Sequence, residues 1–306
     1  MSNPRLLVVG SANMDLVAGV PRSPKPGESL IGSSFKTVPG GKGANQAVAA
    51  ARLGAHTYFA GCVGNDAFGD MLRGTLAESG VDVSYLRTHP TQPTGTAVIL
   101  VAETGQNSIV VVPSANYGVT PQDIAALEPL FARLDAVLMQ LEIPLETVEA
   151  TLDLARRAGV LSILDAGPAQ QVPESILKKA DIVSPNETEA EAITGIAVQS
   201  LKDAERAADR LLSMGAREVV LKLGAGGALY RGAESIHVPA FPITPVDTTA
   251  AGDAFTAALG YVWKAMPHRD AIRFANAAGA LAATVAGAQP SMPTRAAVEA
   301  FLHSRQ

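Results

Sequence analysis

A single cysteine, Cys62, stands in 306 residues. No intrachain disulfide can form, which fits a reducing compartment such as the cytoplasm and leaves Cys62 as a small buried, inert thiol. No dense run of Lys or Arg occurs: 24 basic side chains against 29 acidic give a formal net charge of −5. The basic stripe of a nucleic-acid-binding surface is missing, so no nucleic-acid partner is expected. Long apolar runs are missing too. Leu6–Val9 is too brief for the core of a signal peptide, and Ala97–Ala102 is far too short to cross a bilayer, so no membrane partner is expected. The five histidines (His56, His89, His237, His268 and His303) are scattered without the spacing of a metal site. There is no internal repeat and no low-complexity tract.

What the chain has is apolar material, 47% hydrophobic against 17% charged, ample for a large core. It comes as short runs: Leu6–Val9, Tyr58–Val63, Ala136–Gln140, Leu161–Asp165, Ile182–Ser184 and Glu218–Leu223. These are apolar throughout, as strands covered on both faces are. Helical stretches lie between and after them: Ala44–Leu53, Phe68–Ser79, Leu145–Ala158, Glu187–Thr194, Leu201–Met214, Ala254–Lys264 and Ala271–Val285. This alternation predicts an α/β fold with a mostly parallel sheet.

Two stretches break the rhythm. Asp15–Pro39 carries four of the 20 prolines and few apolar residues. Thr94–Pro113 reads as two strands, Thr96–Val101 and Ser108–Val112, joined by a turn at Glu103–Asn107. The segments at about 15–40 and 94–113 are therefore expected to form a small β-layer, a candidate lid, on a single domain spanning 1–306. Ordinary surface hairpins are the alternative.

The strongest local signal is Asp247-Thr-Thr-Ala-Ala-Gly-Asp253, with a helix expected just after Gly252. Small residues before a helix leave its first N–H groups bare, and the helix dipole makes that end attractive to anions. Asp253 then stands at the mouth of an anion site, where an ionised carboxylate can take a proton from a hydroxyl. A plain N-cap is the competing role for Asp253. The second signal, Pro39-Gly40-Gly41-Lys42-Gly43-Ala44-Asn45-Gln46, lacks the spacing and hydroxyl of a P-loop. Its glycines let the backbone pass close to a small ligand, with Lys42 and Asn45 as donors; a flexible turn with a capping Asn is the alternative. The third, Leu223-Gly224-Ala225-Gly226-Gly227-Ala228, comes too late for a dinucleotide fingerprint and by itself is a turn. Finally, Asn13 and Asp15 follow the first strand, at the edge where open α/β sheets bind ligands.

Taken together these motifs resemble the phosphofructokinase-B (PfkB) family of carbohydrate kinases, in the branch that acts on D-ribose. The similarity runs from Val8-Val9-Gly10-Ser11 to Gly287-Ala288-Gln289-Pro290-Ser291, and Met139-Gln140-Leu141-Glu142 and Pro185-Asn186-Glu187-Thr188-Glu189 add matches in the expected order. The resemblance implies a three-layer α/β/α fold with a β-sheet lid, and transfer of the γ-phosphate of ATP to the 5-hydroxyl of D-ribose. It implies that Asn13, Asp15, Gly41, Lys42, Asn45 and Glu142 hold the sugar, and that Asp253 is the base. The N–H groups of Ala250, Ala251, Gly252 and Asp253 would form the anion hole. Asn186 and Glu189 would help place Mg²⁺-ATP, with Lys222, Gly224, Gly227 and Asn276 along the nucleotide. A monovalent cation, K⁺, would be held by Asp247, Thr249, Ala282, Val285, Gly287 and Ser291. The β-layer would close over the sugar and pair two subunits into a homodimer.

Two departures stand out. Asp165-Ala166-Gly167-Pro168-Ala169 replaces the branch's usual Asn-Pro-Ala-Pro-Ala, and Lys222 occupies a position often held by Thr. The first keeps open another acceptor, such as 2-deoxyribose, a nucleoside or fructose. A non-catalytic sugar- or nucleotide-sensing protein is the reading from another class.

Overall fold

The computed structural model describes residues 3–305; Met1, Ser2 and Gln306 lie outside the described residues. In chain order, β1 (Arg5–Val9), β2 (Asn13–Val20) and β3 (Ser34–Gly40) precede α1 (Lys42–Arg52), β4 (His56–Gly64) and α2 (Ala67–Glu78). Then come β5 (Asp82–His89), β6 (Gly95–Ala102), β7 (Asn107–Val112) and the short helices α3 (Pro121–Ala125) and α4 (Glu128–Phe131). Next are β8 (Ala136–Met139), α5 (Leu145–Ala158), β9 (Leu161–Asp165), α6 (Glu174–Leu177), β10 (Ile182–Ser184), α7 (Glu187–Thr194), α8 (Leu201–Ser213) and β11 (Glu218–Lys222). The hairpin β12 (Ala228–Arg231) and β13 (Ser235–Val238) is followed by α9 (Ala251–Val262), α10 (His268–Ala283) and α11 (Arg295–His303).

The unbroken apolar run in β1 has a direct cause. Successive side chains of a strand face opposite sides, so Leu6 and Val8 enter one core while Leu7 and Val9 enter the other. All four are fully buried. The first core includes residues of α1, α9 and α10, the second residues of α5, α7 and α8. Two helical layers therefore sandwich a nine-stranded sheet of order β13-β12-β11-β10-β9-β8-β1-β4-β5. Pairing is parallel from β5 through β11 and antiparallel for the β12–β13 hairpin. This is the expected three-layer α/β/α arrangement. No helix among the described residues is long and apolar enough to cross a membrane.

The second sheet has the order β3-β2-β6-β7 and is built from the two helix-free stretches. β2 starts at Asn13, so its ladder reaches back to the end of β1. One part of this sheet is open to solvent: Phe35, Val98 and Ile109 to Val112 are exposed.

Several elements are not legible as regular structure, the short helices α3, α4 and α6 among them. β5, DVSYLRTH, is polar and only partly buried because it is the sheet edge. α11 and the full extent of the β12–β13 hairpin were also missed. The start of α9 needs correction: the helix begins at Ala251, with Ala250 at its N-cap, because small residues enter the helical turn without hindrance. Gly252 and Asp253 are therefore inside its first turn.

Candidate active site

In a parallel sheet every strand delivers its C-terminal end to one edge, and ligands bind there where the strand order reverses. Here β1 is flanked by β4 on one side and β8 on the other. Just past β1 and β8 come Ser11, Asn13 and Glu142; β9 and β11 end on Asp165 and Lys222; and β10 leads into Asn186 and Glu189.

The turn before α1 brings the glycine motif onto this edge. Gly41 has φ +90°, and a Cβ on it would lie 2.7 Å from the Asn13 backbone nitrogen. Only glycine accepts both conditions. Ala44 N donates to the Ser11 carbonyl at 2.8 Å, fixing the turn against the end of β1. Glu142 Oε2 gathers this corner by accepting from Ser11 Oγ, from Lys42 N at 3.2 Å and from Asn13 Nδ2 at 3.5 Å. Asn116 Nδ2 donates to Asn13 Oδ1 at 2.6 Å, while its own Oδ1 accepts from Ala12 N. Asp15, on β2, lies over Gly40, where a Cβ would come within 2.4 Å of its carboxylate. Burial, then the nearby charges of Glu142 and Asp253, push the Asp15 carboxyl up to about 7.

Asp253 is fixed by the same motif. Its Oδ2 accepts from Asn45 Nδ2 at 2.9 Å and its Oδ1 from Gln46 Nε2 at 3.2 Å. It is buried, and its side chain makes no N-capping hydrogen bond, which removes the plain N-cap role. The ionised carboxylate expected from the sequence is harder to form here than on an exposed Asp. Burial pushes the Asp253 carboxyl up to about 7 and the charge of Asp165 adds to this; Lys42, Asn45 and Gln46 pull the other way. Lys42 keeps its charge: burial opposes the ammonium, but Asp165, Asp253, Glu189 and Glu142 together hold its pKa above the ordinary value.

The start of α9, expected to form the anion hole, is bare of side-chain caps, although Ala251 N is already engaged by the Thr248 carbonyl at 3.2 Å. Asn186 and Glu189 form a reciprocal capping box on α7, with Glu189 Oε1 3.8 Å from Lys42 Nζ. Gly224 opens a tight turn at φ +47° and Gly227 closes it at φ +92°. A Cβ on Gly227 would strike the Val238 carbonyl at 2.1 Å. Asn276 donates to the carbonyls of Val238 and Pro239, pinning the end of β13 to α10. Asp247 lies beside Thr249 and Gly287: Oδ1 accepts from Thr249 N and Oγ1, and Oδ2 from Gly287 N. These donors hold its carboxyl below the usual range although burial opposes them. Val285 N reaches the Ala282 carbonyl in the same turn, whereas the Ser291 hydroxyl is engaged by the Ala288 carbonyl.

Residues 3–295 match the pfkB family carbohydrate kinases. The chain belongs to this family. Among relatives of the PfkB kinase, ribokinase of Haemophilus influenzae is 41% identical, over 97% of this chain and 98% of that protein. Ribokinase of Bacillus subtilis is 40% identical, over 97% and 99% respectively. A solved structure of Arabidopsis thaliana ribokinase complexed with ribose and ATP superposes with a TM-score of 0.91 at 37% identity, covering 98% of this chain and 99% of that one.

Three side chains of this PfkB kinase site were not singled out from the sequence. Gln46 bridges Asp253 and Asp165, and its own Oε1 accepts from Gln140 Nε2 at 2.6 Å. Asn116 orients Asn13. Asp165, noted only as a departure, is fully buried within the network. Gln46 could have been found, since it adjoins Asn45 in the glycine motif. Asn116 sits in a 3₁₀ turn, Ser114–Gly118, that carries no motif.

Proposed function

We propose that the chain catalyses ATP-dependent phosphorylation of D-ribose at its 5-hydroxyl, giving D-ribose 5-phosphate and ADP. One observation carries this reading: the Asp253 carboxylate, buried in the uncapped first turn of α9, is gripped by Asn45 and Gln46 of the glycine motif. An acceptor site and an anion site thus share one carboxylate. The Arabidopsis ribokinase with ribose and ATP, so similar in fold, supports the choice of both substrates.

In this mechanism Asn13, Asp15, Gly41, Lys42, Asn45 and Glu142 surround the sugar. Asn45 Oδ1 is buried with no partner among the described residues, an acceptor ready for a sugar hydroxyl. Asp253 takes the proton from O5 as the O5–P bond forms. The bond from phosphorus to the β,γ-bridging oxygen breaks, and its electrons leave with ADP. A carboxyl poised near neutrality suits a general base, which contributes on the order of 10²–10⁴ in rate. The N–H groups of Gly252 and Asp253 face the charge growing on the phosphoryl oxygens, and one such donor supplies roughly 3 kcal/mol.

Lys222, Gly224, Gly227 and Asn276 border the nucleotide in this reading, with Asn186 and Glu189 toward its phosphates. Among the described residues no group of three or more His, Cys, Asp or Glu could hold a metal ion. One carboxylate and one amide are the donor set for a magnesium ion that arrives with phosphates and water. Bound Mg²⁺ neutralises phosphate charge. Asp247, with carbonyls of Thr249, Ala282, Val285 and Gly287, supplies the oxygen-rich setting that K⁺ requires, and Ser291 Oγ, which donates its proton to the Ala288 carbonyl, keeps its lone pairs for a cation. A bound K⁺ would add positive charge to this loop.

The second sheet acts here as a lid, and its exposed residues Phe35, Val98 and Ile109 to Val112 form the contact of a homodimer. The buried Cys62, whose thiol pKa burial raises, fits a reducing cytoplasm. The test is ADP release with a panel of D-ribose, 2-deoxyribose, fructose and nucleosides, with the phosphorylated position read by NMR. Fastest turnover on D-ribose at O5 is expected. Faster turnover on another acceptor would replace the sugar, and no turnover on any would favour a sensing protein.

A further inference from the structure

Asp165 has no role in the reading above, and Lys222 there only borders the nucleotide. Asp165 ends β9 and has no exposed surface; Lys222 ends β11 and is 9% exposed. β10 runs between these strands, and past its end Lys222 Nζ donates to Asp165 Oδ1 at 2.8 Å. Burying such a pair is costly, and packing alone would be served as well by apolar residues. The pair is also held with unusual care. Asp165 Oδ2 accepts from Gln46 at 2.7 Å and from Thr256 Oγ1 at 3.3 Å, so donors from α1, α9 and β11 converge on one carboxylate. Burial opposes its charge, but Lys222 and Lys42 hold it below the ordinary carboxylate range.

A lysine tied to an immobile carboxylate has surrendered its rotamer freedom before any ligand arrives. Lys222 is aimed at the anion hole: a Cβ built on Gly252 would lie 3.9 Å from its Nζ. An ammonium has three donors. Asp165 takes one, and Glu189 Oε2 stands 4.0 Å away, beyond hydrogen-bond reach. Donor capacity is left over beside the amides of the first turn of α9.

We propose that Lys222 is a catalytic residue that contacts the transferring phosphoryl group, and that Asp165 is the positioning residue that aims it. The proposal rests on the kinase reading above. Lys222 stays protonated throughout: it donates hydrogen bonds to phosphoryl oxygens while the O5–P bond forms and the bond to the bridging oxygen breaks. Its contribution grows as charge spreads over those oxygens. Removing Lys222 alone has a second effect, since it leaves a bare carboxylate facing a polyanion.

The experiment is steady-state kinetics with D-ribose and ATP on the wild-type protein, K222M, D165N and the double variant D165N/K222M. We expect K222M to lower kcat about 100-fold, with the KM for ribose within about twofold. The double variant should recover roughly tenfold over K222M, because the bare carboxylate is gone, yet stay at least about tenfold below wild type. It buries no unpaired charge, so it reports on Lys222 even if K222M does not fold. A double variant as fast as wild type, or a folded K222M within about threefold of wild type, would overturn the proposal. A binding measurement separates catalysis from structure. With ribose present, ADP plus aluminium fluoride should bind wild type more tightly than ADP alone, and the double variant should lose that gain while keeping its ADP affinity. Retention of the full gain would equally overturn it. A wild-type protein inactive on ribose would instead strike the proposed function.

Discussion

Asn45 and Asp253 share a 2.9 Å hydrogen bond although 208 positions separate them. The bond joins the first turn of α1 to the first turn of α9, and these two helices pack against the same face of the sheet. A shift of either helix would move the Asn45 amide and the Asp253 carboxylate together. In the proposed mechanism this keeps the acceptor hydroxyl and its base in register.

Asp253→Asn should fold and bind ribose but turn over about 10²–10⁴ times more slowly than wild type, because the amide cannot accept the proton. Steady-state kinetics with calorimetry of ribose binding checks this. A variant with near-wild-type kcat would remove Asp253 as the base.

The pH profile follows from burial. Asp15 and Asp253 are both pushed up to about 7. The base must be ionised, so kcat/KM should fall tenfold per unit as pH drops below about 7. Because the groups interact, the limb belongs to the pair rather than to either residue. A profile flat from pH 5 to 8 would contradict it. The same shifts act on stability with a definite sign. Carboxyls raised in the folded state favour folding at low pH, and that advantage is lost as pH rises from the unfolded value toward about 7. D253N should therefore melt above wild type at pH 8 and show no such gain at pH 4, as scanning calorimetry would read.

Activity should rise when K⁺ replaces tetramethylammonium, since only the smaller ion fits oxygens spaced by Asp247. D247A should lose that response, and the loop should loosen because Thr249 and Gly287 lose their shared acceptor. Removing one such charged acceptor costs about 1.5–3 kcal/mol. Equal rates in both salts would exclude a cation role.

The exposed strip on β7 gives a physical test of assembly. Val110→Asp places a charge in the middle of Ile109–Val112. If two copies meet there, light scattering should show a dimer for wild type and a monomer for V110D. A wild-type monomer at micromolar concentration would dismiss the interface.

The helix-layered sheet was legible because strands buried on both faces leave uninterrupted apolar runs, as in β1, β8 and β9. β5 was not, because an edge strand packs on one side and keeps a polar sequence. Within the site, Asn45, Lys42 and Asp253 announced themselves through glycines and a helix start. Asn116 gave no signal, since its role is to orient Asn13 across a turn.

By itself the sequence determined the α/β class, the helix-free layer and the two small-residue turns, because these depend on local periodicity and on residues that alone tolerate a given backbone. The tertiary structure decided the electrostatics. Whether Asp253 is ionised depends on water excluded by distant helices and on charges brought close by folding. That Lys222 and Asp165, two separate oddities along the chain, are a single ion pair became visible only when β9 and β11 came to lie either side of β10.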